Sequence, residues 1–224
     1  MAEPESVNIG LVVGRDACLL IDCGSSPEQG ASIRNAISSV TAVPLTTVVV
    51  THWHYDHAFG LAAFADVETI GHESVPSRLA SAEAAEIAAR LGLDPKTLRS
   101  PRRSLAVAAA VDLGGRRVEI AHLGRGHTDG DLVVVVPDAD LVFAGDLIES
   151  SGAPSYGNDS HPTEWASTLD GLVGLMTAST RAVPGHGRPV DREFVFEARG
   201  QAAMHGQPDA PASPPPGSTN LPLV

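Results

Sequence analysis

A β-branched run from Leu45 to Thr51 passes without a break into His52-Trp53-His54-Tyr55-Asp56-His57. No other segment restricts the fold as strongly. Alternate side chains of an extended segment share a face, so His52 and His54 point to one spot. A turn at Tyr55 swings Asp56 and His57 toward a second spot nearby. Imidazole nitrogens with a carboxylate oxygen suit a borderline ion such as zinc, and a working site keeps a position open for water. A single histidine at a strand end is commonly a solvated loop residue, but three beside an aspartate describe a metal site.

Three further segments end apolar β runs in residues of ligand type. Gly124-Arg125-Gly126-His127-Thr128-Asp129-Gly130 sets His127 in a glycine-flanked turn, where the backbone can bend tightly. Ala144-Gly145-Asp146 closes a strand on a carboxylate, and Pro184-Gly185-His186-Gly187 closes another on an imidazole. One sheet edge that gathers all four segments makes a common pocket.

The rest of the pattern supplies such an edge. Val7 to Val13 and Ala17 to Ile21 read as a hairpin, followed by a helix that Ser25 or Ser26 caps, with Ile33, Ile37 and Val40 on one face. After the histidine segment come a short helix over Ala58 to Phe64, a strand over Val67 to Ile70, one long helix from Ser74 to Leu91 and an exposed loop, Leu98 to Ser104. Two hairpins follow, Val107 to Leu113 with Arg117 to Leu123 and Leu132 to Val136 with Leu141 to Ala144. A helix over Pro162 to Met176, a strand at Arg181 to Val183 and a helix over Arg192 to His205 complete the order. These are two β-then-α halves, not the strict alternation of a doubly wound sheet.

Composition narrows the function. The 224 residues are 43% apolar and 19% charged, an ordinary globular balance. No apolar run approaches the roughly 18 residues of a membrane span, and the acidic Met-Ala-Glu-Pro-Glu-Ser start lacks the pattern of a secretory signal. The expectation is a cytoplasmic protein with no membrane partner. A net charge of −12 argues against a nucleic-acid partner, and Arg99, Arg102 and Arg103 read as a solvated loop. Cys18 and Cys23 lie too far apart in an extended chain for a disulfide and are expected as free thiols.

The H-X-H-X-D-H segment, with His127, Asp146 and His186 following in order, resembles the metallo-β-lactamase superfamily from about Val7 to His205. The resemblance implies an α+β fold, a four-layer αββα sandwich forming one catalytic domain over 1–205. Residues 206–224, rich in proline, are expected as a disordered tail. By the family's pattern His52, His54 and His127 hold one ion, Asp56, His57 and His186 hold another, and Asp146 bridges them. The implied cofactor is two zinc ions, with iron or manganese as other candidates, and Asp22 steadies the metal loop. The implied reaction is attack of a metal-bridging hydroxide on an ester, thioester, lactone or lactam of a small-molecule substrate, with Asp56 or Asp146 returning the proton. Tyr156 is a candidate oxyanion donor and Asn158 a weaker one, although a packing tyrosine fits that loop as well.

Departures from subfamilies restrict the substrate. The commonest β-lactamases have Cys where Asp146 stands and a lysine soon after it, whereas the sole lysine here is Lys96. Only 38 residues follow His186, too few for the helical domain of hydroxyacylglutathione hydrolases. RNA-processing members carry basic arms or a large insertion absent here, and flavin-linked diiron members have Glu where His54 stands. Two other classes remain open: a mononuclear non-haem iron dioxygenase acting on persulfides, and a non-catalytic metal-binding module. The module reading predicts lost ligands, and every one is present. His161 and Trp165 are expected to fix the helix that they begin, and His72, His122 and His205 to be ordinary surface or core residues.

Overall fold

A computed structural model describes residues 6–206. The expected tail, apart from Gly206, lies outside the described residues. In the first half, β1 (Gly10–Val13) and β2 (Cys18–Ile21) form the antiparallel hairpin, and α1 (Pro27–Val40) follows under a Ser26 cap that accepts from the Gln29 N–H. Then come β3 (Leu45–Val49), α2 (Tyr55–Ala58), a 3₁₀ segment (Phe59–Phe64), β4 (Glu68–His72), α3 (Val75–Leu79), α4 (Ala82–Arg90) and β5 (Arg103–Leu105). The strands order as β1-β2-β3-β4-β5, parallel from β2 onward.

The second half holds β6 (Ala108–Asp112), β7 (Arg117–His122), β8 (Leu132–Val136), β9 (Leu141–Glu149), α5 (Pro162–Leu175), β10 (Arg181–His186) and α6 (Arg192–His205). Its sheet runs β10-β9-β8-β7-β6, antiparallel except for the β10–β9 pair.

Layering follows from strands that are apolar on both faces. Leu19, Ile21 and Val49 of the first sheet meet Ile120, Leu132 and Val134 of the second in a central core. The opposite faces turn outward to helices: Leu20, Val48 and Val50 pack with Ile37, Phe64 and Ala88, and Val133, Val142 and Ala144 pack with Trp165, Leu172 and Val195. This is the expected four-layer sandwich. Among the described residues, no helix is long and apolar enough to cross a membrane. Cys18 and Cys23 are both free and buried.

Three expectations are corrected. The single helix over 74–91 is two helices, because the Ser81 hydroxyl accepts from the Ala84 N–H and restarts the chain there. The segment 98–104 is not wholly a loop, since Arg103–Leu105 pairs with β4. Val40, expected on the packed face of α1, is 70% exposed.

Candidate metal centre

The ligand-type residues gather at one rim of the sandwich: His52 and His54 follow β3, Asp56 and His57 lie in α2, His127 lies between β7 and β8, and His186 ends β10, whereas Asp146, expected to close its strand, lies within β9, which runs on to Glu149. β3 ends at Val49, and Thr51 and His52 follow on a buried strand exit. Asp22, just past β2, takes a left-handed φ of 63° and turns its carboxylate across to this exit. Its oxygens accept from the Thr51 N–H (2.7 Å) and hydroxyl (2.9 Å) and from His57 Nδ1 (2.8 Å). The steadying aspartate thus clamps both ends of the histidine segment.

The side chains converge in two sets. In the first, His52, His54, His127 and Asp146 bring one ligand atom each to within 4.8 Å of one another. His54 Nδ1 lies 3.1 Å from His52 Nε2 and 2.8 Å from His127 Nε2, and Asp146 Oδ2 lies 3.5 Å from His127 Nε2. In the second set, Asp56 Oδ2 is 3.4 Å from His57 Nε2 and 3.1 Å from His186 Nε2. Asp146 joins the sets, with Oδ1 3.3 Å from His57 Nε2 and Oδ2 3.7 Å from His186 Nε2. Gly185 makes this possible, since a Cβ there would overlap Asp146 Oδ1.

The outward nitrogens of these rings already have partners. His52 Nδ1 donates to the Thr51 hydroxyl (3.1 Å), His127 Nδ1 to the Ser155 carbonyl (3.2 Å) and His54 Nε2 to Asp159 Oδ2 (3.2 Å). The tautomers so fixed turn lone pairs inward, the arrangement that a cation satisfies. Burial pushes His52 well below the usual imidazole range and His127 down to about 4, so both rings are neutral at pH 7. Burial pushes the Asp146 carboxyl up, but the charge and proximity of His57 together with the charges of His127 and His186 outweigh it and hold Asp146 at about 2. His57 is raised well above its usual value: burial opposes this, and Asp56, Asp146 and Asp22 prevail.

Whether a metal suits the residues is tested by atoms left without partners. His57 Nε2 and Asp146 Oδ1 are buried and near each other, yet neither completes a hydrogen bond. Buried polar atoms without hydrogen bonds are costly, and a shared cation would coordinate both. The donor set of imidazoles and carboxylates fits such an ion.

Asp159 was not anticipated. It accepts from the Trp53 indole (2.8 Å) as well as from His54, and so holds the middle of the histidine segment from 105 residues away. Its only sequence signal was a carboxylate in a Gly/Ser/Pro-rich loop. Tyr156 packs with its ring against Trp165 and stacks on His205, the packing arrangement that the sequence left open for it. Asn158 is exposed, and Trp165 is buried with its indole donating to the Leu147 carbonyl. The His72 and His122 rings meet at 4.2 Å, tilted by 35°, and belong to neither set.

Comparison with known proteins bears on the family and the fold. A family model described as "Metallo-beta-lactamase superfamily" matches residues 2–186. A metallo-beta-lactamase type 2 of Bacillus sp. (strain 170) is 27% identical over 154 residues, covering 68% of this chain and 55% of that protein. The chain therefore spans little more than half the length of that relative. An acyl-coenzyme A thioesterase of Homo sapiens is 26% identical over 216 residues, covering 84% of this chain and 76% of its own. Among solved structures, a metallo-beta-lactamase from Pontibacter korlensis superimposes with a TM-score of 0.72 at 22% identity, over 90% of this chain and 88% of that one.

Proposed function

The chain belongs to the metallo-β-lactamase superfamily, and from that premise we propose that it is a dinuclear metal-dependent hydrolase of a small carbonyl substrate. The bond cleaved is an ester, thioester, lactone or lactam. The observation that carries this reading is the shared carboxylate: Asp146 faces both ligand sets, and its Oδ1 and His57 Nε2 are buried without hydrogen-bond partners. His52, His54 and His127 would hold one zinc ion, Asp56, His57 and His186 the other, and Asp146 both.

Two ions bound there would bring water toward neutral pKa, polarise a carbonyl oxygen and offset a leaving anion. The chain's own groups do the rest. Asp22, the Thr51 hydroxyl, Ser155 and Asp159 fix the outward nitrogens, so that the rings keep their tautomers through turnover. Asp56 and Asp146 would supply negative charge between two cations, and one or the other would pass the proton to the leaving group.

A thioester is the first substrate to try, supported by the acyl-coenzyme A thioesterase relative, and a cephalosporin the second, supported by the β-lactamase relatives. The test is a hydrolysis screen of metal-depleted and zinc-reconstituted protein over thioesters, lactones, phosphoesters and a chromogenic cephalosporin. Turnover of a carbonyl substrate only after reconstitution is expected. Metal-independent turnover, or turnover confined to phosphoesters, would overturn the proposal.

A further inference from the structure

The two rings His54 and His127 are both held by the loop 150–160, which accepts from His127 at the Ser155 carbonyl (3.2 Å) and from His54 at Asp159 (3.2 Å). The loop itself is poor in apolar residues, and most of its residues from Ser151 to Asn158 are exposed. Free of any anchor, such a segment would sample many conformers and place its acceptors poorly.

The anchor is Tyr156, which lies in sequence between the two acceptors. One side of its ring meets Trp165 of α5, with centroids 5.0 Å apart at 61°. His205, the last residue of α6, stacks on it at 3.7 Å and 18°. The end of α6 is itself fixed. Gly206 lies so close to the Pro162 carbonyl that a side chain there would overlap it, and Pro162 opens α5. Beside it, the His161 N–H donates to the Gly126 carbonyl (2.8 Å), next to His127. A chain of contacts thus runs from the C-terminal helix through two stacked rings to two imidazoles of the first ligand set. Trp165 adds to it by meeting the His127 ring at 5.8 Å.

We propose that the Tyr156–His205 stack is a clamp that positions His54 and His127 as ligands, acting through the tyrosine ring and not its hydroxyl. Tyr156 and His205 are positioning residues, since neither belongs to a ligand set. Aromatic pairs add to the stabilisation from area burial, and here they favour one conformer of an otherwise exposed loop. Loss of an outer-shell partner typically costs about tenfold to hundredfold in metal affinity.

The inference rests on the metal reading above, and its test separates the two. Zinc affinity by chelator competition is measured for the full chain and for Tyr156→Ala, Tyr156→Phe, His205→Ala and Phe196→Ala, the last an exposed position on α6 outside the clamp. Imidazole ¹⁵N spectra of the metal-depleted proteins report the tautomers independently of zinc. In the unaltered chain His54 should carry its proton on Nε2 and His127 on Nδ1. Tyr156→Ala and His205→Ala should weaken one of two zinc ions about tenfold or more and mix those tautomers, while Tyr156→Phe and Phe196→Ala leave both readouts unchanged. If Tyr156→Ala does not fold, His205→Ala at the exposed helix end carries the test. Unchanged affinity and tautomers in folded His205→Ala would overturn the clamp while the metal reading stands. A Tyr156→Phe defect as large as that of Tyr156→Ala would overturn it too, by locating the effect in the hydroxyl. Fixed tautomers in an unaltered chain that binds no zinc would overturn the metal reading, and with it the clamp's purpose.

Discussion

Asp22 concentrates more of the site's organisation than any single ligand. It adopts a left-handed backbone that aspartate and asparagine tolerate better than most residues, and it satisfies three buried donors, two on Thr51 and one on His57. Asp22→Ala should therefore destabilise the protein by about 3 kcal/mol or more, since each orphaned buried donor costs about 1–3 kcal/mol. Asp22→Asn should recover more than half of that loss in urea denaturation. Equal losses in the two variants would mean that shape and hydrogen bonding do not explain the residue. Charge at His186 gives a second prediction. A hydrogen bond to Asp56 raises His186 from 6.5 to about 9. In metal-depleted protein the stability from this pair is fully present below the unfolded value and is lost as pH rises through the folded one. The melting temperature of metal-depleted protein should therefore fall between about pH 7 and 9.5, while zinc affinity rises over the same range because fewer protons must be displaced. A flat melting temperature with pH-independent affinity would contradict the pairing.

At the level of elements, the candidate ligands were legible because residue type and local spacing mark them: the His52–His57 segment, His127, Asp146 and His186 all announce themselves in this way, and the fold gathers them into two sets. What escaped depends on distant partners. β5 has three residues, two of them polar, and becomes a strand only by parallel pairing with β4 across the intervening helices. Asp159 reaches Trp53 and His54 from another half of the chain, a contact no periodicity encodes. The break between α3 and α4 had a visible sign in Ser81, overridden by the Ala/Glu richness that follows it. That cap is testable on its own. Ser81→Ala should cost about 1 kcal/mol, as for N-caps generally, and leave zinc binding untouched. A loss of metal with that substitution would show that α4 reaches the site in a way the fold does not explain.

Across the whole molecule, the site belongs to neither half alone. The first sheet supplies His52, His54, Asp56 and His57, and the second supplies His127, Asp146 and His186, so bound ions would tie the two sheets together at their common rim. The sandwich was foreseeable through the family resemblance, since the element order alone reads only as two β-then-α halves, and strands apolar on both faces then account for the helices that cover each sheet. The number of ions and the bond cleaved were not foreseeable, since His52, His54, His127 and Asp146 serve a one-metal site as well as a two-metal one. The most direct test of the account is metal content per chain by elemental analysis, for the purified protein and for Asp56→Ala, with turnover measured on the same samples. The account predicts two ions in the unaltered chain, about one in the variant and no turnover there. A single ion in the unaltered chain, or full activity in Asp56→Ala with one ion bound, would contradict it.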